Sequence, residues 1–342
     1  MKIIFFYSEV MGYTEALIRT LSEKYNVQII LVYWDVHKLT PYQTNIKSIE
    51  SFPRSNFTDD ELCQLVNVEK PDIVYVSGWM DKGYLKAARQ AKEDGIKVVA
   101  GLDTPWQGKL KQWVSATVLK TFWKKRFDYI WVPGIRQQEY AHKMGFKDRT
   151  LSHLYAADIS LFNSTTDYLS KPKPYQLLFI GRLAVEKNIH LLCEAFAEIN
   201  DKKDWVLIVV GDGPLRDYLP KLDSIKYIGF QPPNSLKNYM NQASAFCLPS
   251  QWEPWGLVVH EAAASGLPLL VSDACGAAEK FVEPEKNGWV FPSNNKEALK
   301  TALNKIFNST VKERQKMGEH SHQLAQSITP DKSAQTLLSI IS

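Results

Sequence analysis

Ten short runs rich in β-branched and aromatic residues recur along the 342 residues and alternate with longer segments of helical periodicity. The runs lack strict alternation of apolar and polar residues, which is typical of strands buried on both faces of a parallel sheet. Strands joined by helical crossovers indicate an α/β fold with doubly wound sheets. We predict strands at 3–7, 27–33, 73–77, 97–100, 129–132, 176–180, 206–210, 225–228, 245–248 and 269–271.

The length of the chain exceeds what one hydrophobic core usually serves, and it suits two domains. Five predicted strands fall in each half, so each half is expected to form its own doubly wound domain. Between the halves, residues 163–174 are polar, contain two prolines and lack periodicity, and we place the linker there. We therefore predict a first domain over 1–165, a second over 166–330, and a C-terminal helix over 331–342 whose docking partner is left open. Ligands are expected beyond the carboxyl ends of the strands, in the cleft between the domains.

Composition narrows the class of protein. Hydrophobic residues make up 45% of the chain and charged residues 23%, which is usual for a folded globular protein and argues against disorder. The net charge of +4 lies entirely within residues 1–165, but no basic tail or interleaved aromatic motif accompanies it, so nucleic acid is not an expected partner. The four cysteines form no CxxC pair, which favours reduced, buried thiols and the cytoplasm. The N-terminal apolar run predicts a strand rather than a signal peptide, and no apolar stretch is long enough to span a membrane.

The most informative stretch is residues 246–266, which read FCLPSQWEPWGLVVHEAAASG. A buried strand is expected to lead into a loop, and a helix to begin near residue 255 or 256. Glu253 would then lie in the loop, and Glu261 on the helix a little more than one turn past Gly256. The free amides of Gly256 and Leu257 suit a phosphate or a sugar hydroxyl, and carboxylates suit paired hydroxyls. The alternative is that Glu253 is a helix-entry residue and Glu261 a surface glutamate.

Residues 178–188, LFIGRLAVEKN, also run from a predicted strand into a loop. Gly181 allows close backbone approach, and Arg182 and Lys187 place two cations at the carboxyl edge of the same sheet. The planar fork of an arginine and the point charge of a lysine together suit a diphosphate. The alternative is a pair of solvated surface cations. The turn at 211–214, Gly-Asp-Gly-Pro, is a weak signal alone.

Taken in order, these stretches closely resemble the family-4 retaining glycosyltransferases of the GT-B fold from residue 176 to about residue 298. The matching pieces are GRL at 181–183, EKN at 186–188, GDGP at 211–214, YIGF at 227–230, PS at 249–250, Glu253 and Glu261 with seven residues between them, GLP at 266–268, GAAE at 276–279 and NGW at 287–289. The resemblance implies two Rossmann-like domains facing across a cleft, the first binding the acceptor and the second the donor. It further implies that Arg182 and Lys187, with Gly181 beside them, bind the donor diphosphate. Glu261 would bind the ribose and Glu253 the transferred sugar, helped by the amides of Gly256 and Leu257.

Similarity over residues 1–165 is looser. Gly12, after the first strand, matches the small-residue loop through which family members approach the diphosphate and the acceptor. Many relatives have a histidine and an aspartate after the fourth strand; here Asp103 is present, but Leu102 stands in place of the sugar-contacting histidine. The resemblance therefore assigns Gly12 and Asp103 to the donor site and leaves the sugar open. His260 is expected to point away from Glu261, into packing or to the surface.

The reaction implied by the resemblance is hexosyl transfer with retention of anomeric configuration. The acceptor hydroxyl would attack from the side of the leaving group, and a donor phosphate oxygen would take its proton. Departure of a diphosphate calls for cations near it, which gives Arg182 and Lys187, together with Glu253, the catalytic roles. No Asp-x-Asp pair occurs, so we predict no metal and no cofactor, with the nucleotide-diphosphate sugar as co-substrate.

Three other functions compete with transfer. One is a GT-B nucleotide-sugar epimerase, and another is a non-catalytic nucleotide-sugar-binding subunit. Transfer needs an acceptor, epimerisation does not, and a silent subunit binds without turnover. A Rossmann dehydrogenase is disfavoured because residues 8–15, SEVMGYTE, contain no glycine fingerprint after the first strand.

Residues 107–127 hold six cations and no acidic residue. On a single helix, one side would carry Lys109, Trp113, Lys120 and Lys124, and a second stripe would carry Leu110, Val114, Val118 and Phe122. One interpretation is a domain helix whose apolar stripe packs on the sheet while its cations are solvated. The other is that the cationic, Trp-bearing face rests on anionic lipid, as a lipid-linked acceptor would require. By analogy alone, the expected context is bacterial surface-polysaccharide synthesis, in the cytoplasm or at the inner face of the cell membrane.

Overall fold

A computed structural model describes residues 1–35, 49–163, 173–202 and 204–341. The chain divides into two compact units, of which the first comprises Met1–Ala156 with Ile328–Ser342 and the second comprises Ala157–Ser327. The chain therefore passes between the units twice. Most of the linker predicted at 163–174 lies outside the described residues.

The first unit is built on a sheet that has seven strands in the described residues, with every neighbouring pair parallel. The strands are β1 (Lys2–Tyr7), β2 (Gln28–Tyr33), β3 (Glu50–Pro53), β4 (Ile73–Val76), β5 (Lys97–Gly101), β6 (Tyr129–Trp131) and β7 (Thr150–Leu151), in the spatial order β3-β2-β1-β4-β5-β6-β7. The helices are α1 (Gly12–Arg19), α2 (Asp59–Glu69), α3 (Lys82–Glu93), α4 (Leu110–Thr117), α5 (Lys120–Lys124) and α6 (Ile135–Lys143). The strand order reverses at β1 and β4, which makes their carboxyl ends the topological switch point.

Alternate residues of β1 explain how this sheet is covered on both faces. Ile4 and Phe6 belong to one hydrophobic cluster, while Ile3 and Phe5 belong to a second. Successive side chains of a strand point to opposite faces, so a continuous apolar run is required when both faces are packed.

The second unit has the same architecture, with six parallel strands in its described residues. After the short helix α7 (Ile159–Phe162) come the strands β8 (Tyr175–Ile180), β9 (Trp205–Val210), β10 (Ile225–Gly229), β11 (Ala245–Leu248), β12 (Leu269–Ser272) and β13 (Gly288–Phe291), in the order β10-β9-β8-β11-β12-β13. The helices are α8 (Ile189–Glu198), α9 (Pro233–Gln242), α10 (Leu257–Ala264), α11 (Ala278–Phe281), α12 (Lys296–Asn308) and α13 (Val311–Ala325). Here the switch point lies between β8 and β11.

All ten predicted strands are confirmed, each with bounds within one residue of those expected. The strands β3, β7 and β13 were not predicted, and all three lie at sheet edges. The residues of β3 are exposed or half-buried. An edge strand therefore needs no continuous apolar run, and the pattern that reveals a central strand is missing there.

The last helix, α14 (Pro330–Leu338), belongs to the first unit and packs beside α1. The carboxylate of Asp331 accepts hydrogen bonds from the ammonium of Lys24 at 2.6 Å and the hydroxyl of Tyr25 at 2.8 Å. The Ser333 hydroxyl donates to the carbonyl of His153 at 2.6 Å. These contacts supply the docking partner that the sequence left open.

The second unit begins earlier than the sequence boundary at 165/166 suggests, because His260 and Ser265 hold its first residues. His260 is buried on α10, where its Nδ1 accepts the Ala157 N–H at 3.1 Å and its Nε2 donates to the Ala325 carbonyl at 3.0 Å. The Ser265 hydroxyl donates to the carbonyl of Phe162 at 3.2 Å. Residues near both crossings are thus attached to α10. Of the two placements expected for His260, packing and the surface, the structure shows packing.

The prediction of a single helix across residues 107–127 is wrong. The chain forms α4 and α5 with a break at residues 118–119. Trp123 turns into the core from α5, and its Nε1 donates to the carbonyl of Ser115 on α4 at 3.2 Å, which fixes the angle of the break. The interpretation that the apolar stripe packs on the sheet is also wrong for Leu110, Val114 and Val118, which are exposed.

Candidate functional site

Two loops meet at the switch point of the second sheet. One follows β8 and contains Gly181 to Lys187, and the other follows β11 and contains Glu253. The backbone N–H groups of Gln251 and Trp252 both donate to the carbonyl of Glu186, at 3.0 and 3.3 Å. The two sequence stretches that predicted a diphosphate and sugar site are therefore joined by main-chain hydrogen bonds.

Lys187 and Glu253 form an ion pair between these loops. Lys187 ends a short 3₁₀ turn, and its ammonium contacts the Glu253 carboxylate, to which the Ser250 hydroxyl also donates at 3.5 Å. The Lys187 side chain is 22% exposed and the Glu253 side chain 11%. Low exposure reduces screening by water and makes this pair stronger than an ordinary surface pair. The alternative interpretation of Lys187 as a solvated cation is wrong.

Arg182 lies in the same loop but is 54% exposed. Its guanidinium forms a hydrogen-bonded ion pair with Glu186 at 2.5 Å and holds the pKa of that carboxyl below its usual range. Arg182 and Lys187 thus face different carboxylates. The more exposed arginine is in a position to exchange its partner for a ligand.

Gly256 and Leu257 form the start of α10, where the sequence placed it. Gly256 is the N-terminal capping residue, with φ of +93°. A Cβ there would lie 2.6 Å from Cys275 Sγ and 2.9 Å from Glu253 Cγ. Glycine is therefore required both for its conformation and for space. The same close approach brings Glu253 next to the unpaired amides of the helix start, which favour anions.

Glu261 lies on α10, and its carboxyl is closely surrounded by protein. Desolvation, and after it the nearby carboxylate of Asp158, raise its pKa from 4.5 to about 7. Asp158 caps α7 by accepting from the Leu161 N–H at 3.3 Å. The interpretation of Glu261 as an ordinary surface glutamate is wrong. Sequence reasoning missed Asp158, although an aspartate directly before an apolar helical turn is a recognised capping signal.

The Gly-Asp-Gly-Pro turn supports the loop after β8. A Cβ on Gly211, with φ of +136°, would lie 2.0 Å from the carbonyl oxygen of Gly181. The Leu183 N–H also donates to the carbonyl of Asp212 at 2.9 Å. The weak motif at 211–214 therefore has a structural purpose: it holds Gly181 and the residues after it against the end of β9.

In the first unit, a cavity of about 310 Å³ opens at the carboxyl ends of the central strands. Its lining residues follow β1, β2, β4 and β5, and they include Ser8, Trp34, Ser77, Trp79, Asp81 and Asp103. Leu102, at the position where the histidine was expected, is buried in the hydrophobic core and also lines the cavity. Gly12 is the first residue of α1.

Asp103 lies near four tyrosines that sequence reasoning did not single out. Tyr13 and Tyr155 pack edge to face at 4.9 Å, and Tyr7 and Tyr75 stack at 5.5 Å. Desolvation raises the pKa of Asp103, and its hydrogen bonds, including one with Tyr155, oppose that rise. A carboxylate that is closely surrounded yet faces a cavity is typical of a binding site.

Across residues 1–35, 49–163, 173–202 and 204–341, no three His, Cys, Asp or Glu side chains are grouped closely enough to hold a metal ion. In the same ranges, every helix is too short or too polar to cross a lipid bilayer.

The comparison with known proteins concerns mainly the second unit. Residues 163–324 match the family model described as glycosyl transferases group 1. The matched segment contains Arg182, Lys187, Glu253 and Glu261.

Two curated relatives match parts of this chain. An uncharacterized glycosyltransferase of Methanocaldococcus jannaschii is 36% identical over 126 residues, which cover 34% of this chain and 32% of that protein. Spore coat protein SA of Bacillus subtilis is 30% identical over 167 residues, which cover 44% of each chain. The matched part of the chain thus spans 32% and 44% of the length of these two relatives.

A solved structure matches the whole chain in fold. HepE of Anabaena, crystallised with UDP, aligns with a TM-score of 0.80 and 18% identity over 100% of this chain and 99% of that chain. The same protein crystallised with UDP-glucose aligns with a TM-score of 0.78 and 17% identity. The chain, with its two doubly wound units, therefore has the GT-B fold, as predicted from the sequence.

Proposed function

We propose that this protein is a retaining hexosyltransferase that moves a sugar from a nucleotide-diphosphate donor to a glycan or lipid-linked acceptor. The observation that carries the proposal is the ion pair of Lys187 and Glu253 beside the start of α10. A cation, a carboxylate and unpaired helix amides are thereby gathered at the switch point of a doubly wound sheet, which is where such sheets bind ligands.

The donor diphosphate fits the cationic side of this site. The Lys187 ammonium has three N–H donors, and the contact with Glu253 uses one of them. Arg182 adds a planar fork, and the amides of Gly256 and Leu257 add the positive end of a helix. Because HepE was crystallised with UDP and with UDP-glucose, uridine diphosphate sugars are the first donors to test.

The same groups serve catalysis by stabilising the charge that develops on the departing diphosphate. Two cations and a helix start perform the task that a divalent ion performs in metal-dependent transferases, so we propose a metal-independent reaction. Glu253 retains acceptor capacity for hydroxyls of the transferred sugar. Glu261 serves the ribose, and its surroundings leave its carboxyl about half protonated near pH 7 because they raise its pKa to about 7. A donor phosphate oxygen takes the proton of the attacking hydroxyl.

The acceptor is assigned to the cavity of the first unit. Trp34 and Trp79 offer flat apolar faces, and Ser8 and Ser77 offer hydroxyls, a combination that suits a saccharide. Asp103, which the resemblance assigns to the donor site, lines the same cavity and is available to accept from a hydroxyl of the transferred sugar. We place the reaction in surface-polysaccharide synthesis on the cytoplasmic side of the membrane, as the proposed context of such an acceptor.

The test is to incubate the purified protein with nucleotide sugars, with and without saccharide acceptors, and to measure released nucleoside diphosphate. We expect acceptor-dependent release that survives a chelator. Lys187→Ala should lower turnover at least about 100-fold with folding retained, while Lys221→Ala, an exposed control in the same unit, should not.

Four other outcomes would contradict parts of the proposal. Wild-type turnover in Lys187→Ala would refute the diphosphate role. Epimer formation without an acceptor would indicate an epimerase, and binding without turnover would indicate a silent subunit. Abolition by a chelator with recovery on adding manganese would refute metal independence.

A further inference from the structure

The helix α4 exposes apolar residues and buries a polar one, which is the reverse of an ordinary surface helix. Leu110 is 80% exposed and Val118, directly after the helix, is 71% exposed, whereas the polar Gln112 is only 8% exposed. The Gln112 amide is satisfied inside, since it donates to the Pro105 carbonyl and accepts from the Gln107 N–H, both at 2.8 Å. The inward polar residue is therefore built into the fold, and the apolar side faces outward.

The exposed apolar residues form one surface, which we call the outer face and which consists of Leu110, Trp113, Val114, Val118 and Leu119. Four of them recur at positions i, i+3, i+4 and i+8, which is the spacing of one side of a helix. Exposed apolar residues scattered singly need no explanation, but a contiguous group marks a contact surface.

Cations lie close to the outer face in the sequence. Lys109, Lys111, Lys120, Lys124, Lys125 and Arg126 lie within or beside α4 and α5, and no acidic residue occurs from 104 to 127. Lys120 and Lys124 run side by side over Gly145, where a Cβ would lie 2.2 and 3.0 Å from their Cε atoms. The ammonium of Lys143 lies 5.0 and 5.6 Å from the ring centroids of Trp106 and Trp113.

We propose that α4 and α5 rest on an anionic phospholipid surface, with the outer face in the acyl boundary and the neighbouring cations at the phosphates. An apolar stripe flanked by lysines and a tryptophan has the polarity of an interfacial helix. Charge decides against a second copy of this chain as the occupant. A two-fold interface would bring the same cationic patch against itself, and like charges would oppose it.

The outer face is connected to the cavity of the first unit through two tryptophans. Trp123 of α5 packs on Trp79, which lines the cavity, with ring centroids 5.0 Å apart. Contact with lipid would therefore place the cavity next to the membrane interface. The membrane inference stands on the exposed residues and their charges, and it does not depend on the transferase reaction.

The test is co-sedimentation with vesicles of phosphatidylcholine, with and without phosphatidylglycerol, at low and high salt. We expect binding only to the anionic vesicles and weaker binding at high salt. Lys120→Glu with Lys124→Glu should lower the partition coefficient at least about 30-fold, given the usual contribution of each basic residue near an anionic surface. The matched control is Lys221→Glu with Lys312→Glu, two exposed lysines of the second unit with the same change in net charge, which should leave binding unchanged.

A second pair of variants tests the apolar contribution. Val114→Ser with Val118→Ser should lower binding at least about tenfold without lowering the melting temperature, because both side chains are exposed. Trp113→Phe should remove a blue shift of fluorescence that vesicles induce in the wild type. The proposal is overturned if the wild type does not sediment with anionic vesicles at low salt, or if the control pair weakens binding as much as the lysine pair of α5. Concentration-dependent dimerisation that Val118→Ser abolishes, without vesicle binding, would also overturn it and indicate a second copy as the partner.

Discussion

Replacing Glu261 with glutamine should remove a pH-dependent loss of stability from the second unit. Burial and the charge of Asp158 raise the pKa of the Glu261 carboxyl from 4.5 to about 7. The folded state therefore favours the neutral carboxyl. Its contribution to stability is fully present below pH 4.5 and is lost as the pH rises through about 7.

The size of the effect follows from the pKa values of the carboxyl in the unfolded and folded states. A tenfold difference in proton affinity between the two states corresponds to about 1.4 kcal/mol. A carboxyl whose pKa rises from 4.5 to about 7 on folding therefore loses about 2.5 kcal/mol of stabilisation between pH 5 and pH 8. In a unit of this size that corresponds to roughly 5–10 °C in melting temperature. Glutamine has nearly the same shape and no charge, so the variant lacks this dependence.

The assay is calorimetric unfolding of the ligand-free protein at pH 5, 6, 7 and 8. The difference in melting temperature between Glu261→Gln and the wild type should increase in favour of the variant as the pH rises. Taking this difference at each pH removes the contribution of all other titrating groups, because both proteins share them. Glu319→Gln, an exposed glutamate of the same unit, is the control and should show no such trend. A difference between Glu261→Gln and the wild type that is the same at pH 5 and pH 8 would refute the assigned burial of this carboxyl.

Further variants test the site and its support. Gly256→Ala should cost about 1–3 kcal/mol of unfolding free energy, because φ is +93° and Cys275 Sγ would lie 2.6 Å from the new Cβ. It should also weaken nucleoside-diphosphate binding in calorimetric titration, and unchanged binding would contradict the close approach. His260→Ala should cost about 2–4 kcal/mol in urea unfolding, because it leaves two buried backbone groups without partners. A loss below about 1 kcal/mol would count against that role. Lys187→Met should cost about 2 kcal/mol of unfolding free energy by leaving Glu253 without its cation. Lys187→Met combined with Glu253→Gln should recover most of that stability but no turnover. If the stability losses of the two single substitutions simply add in the double variant, the two residues are not coupled.

The central strands of both sheets were predictable because strands that are buried on both faces have mostly apolar residues, which the local sequence shows directly. β1, β4, β8 and β11 each contain a continuous apolar run of four or more residues, and each lies between two neighbouring strands. The edge strands β3, β7 and β13 have one neighbour each, so pairing rather than composition makes them strands. The same local reasoning placed the start of α10 correctly, since a loop rich in turn formers precedes it.

The region of α4 and α5 shows where local reasoning ends. Periodicity correctly grouped Leu110, Val114 and Val118 on one side of a helix, but it does not say which side meets the core. In the fold, Gln112 and Ala116 face inward, and Trp123 anchors the following turn. Only the packing of the rest of the unit decides that orientation, because it depends on the space that residues distant in sequence leave.

The sequence by itself determined the two doubly wound domains, the resemblance of the second to glycosyl transferases and the loops that carry its charged residues. Those conclusions rest on patterns confined to short stretches, which a single chain displays directly. Tertiary structure alone decided that Lys187 contacts Glu253, that Asp158 lies near Glu261, and that α14 returns to the first unit. Each of these is a contact between residues far apart in the chain. Strand order and packing bring such residues together, and the local propensities of the chain do not predict these contacts.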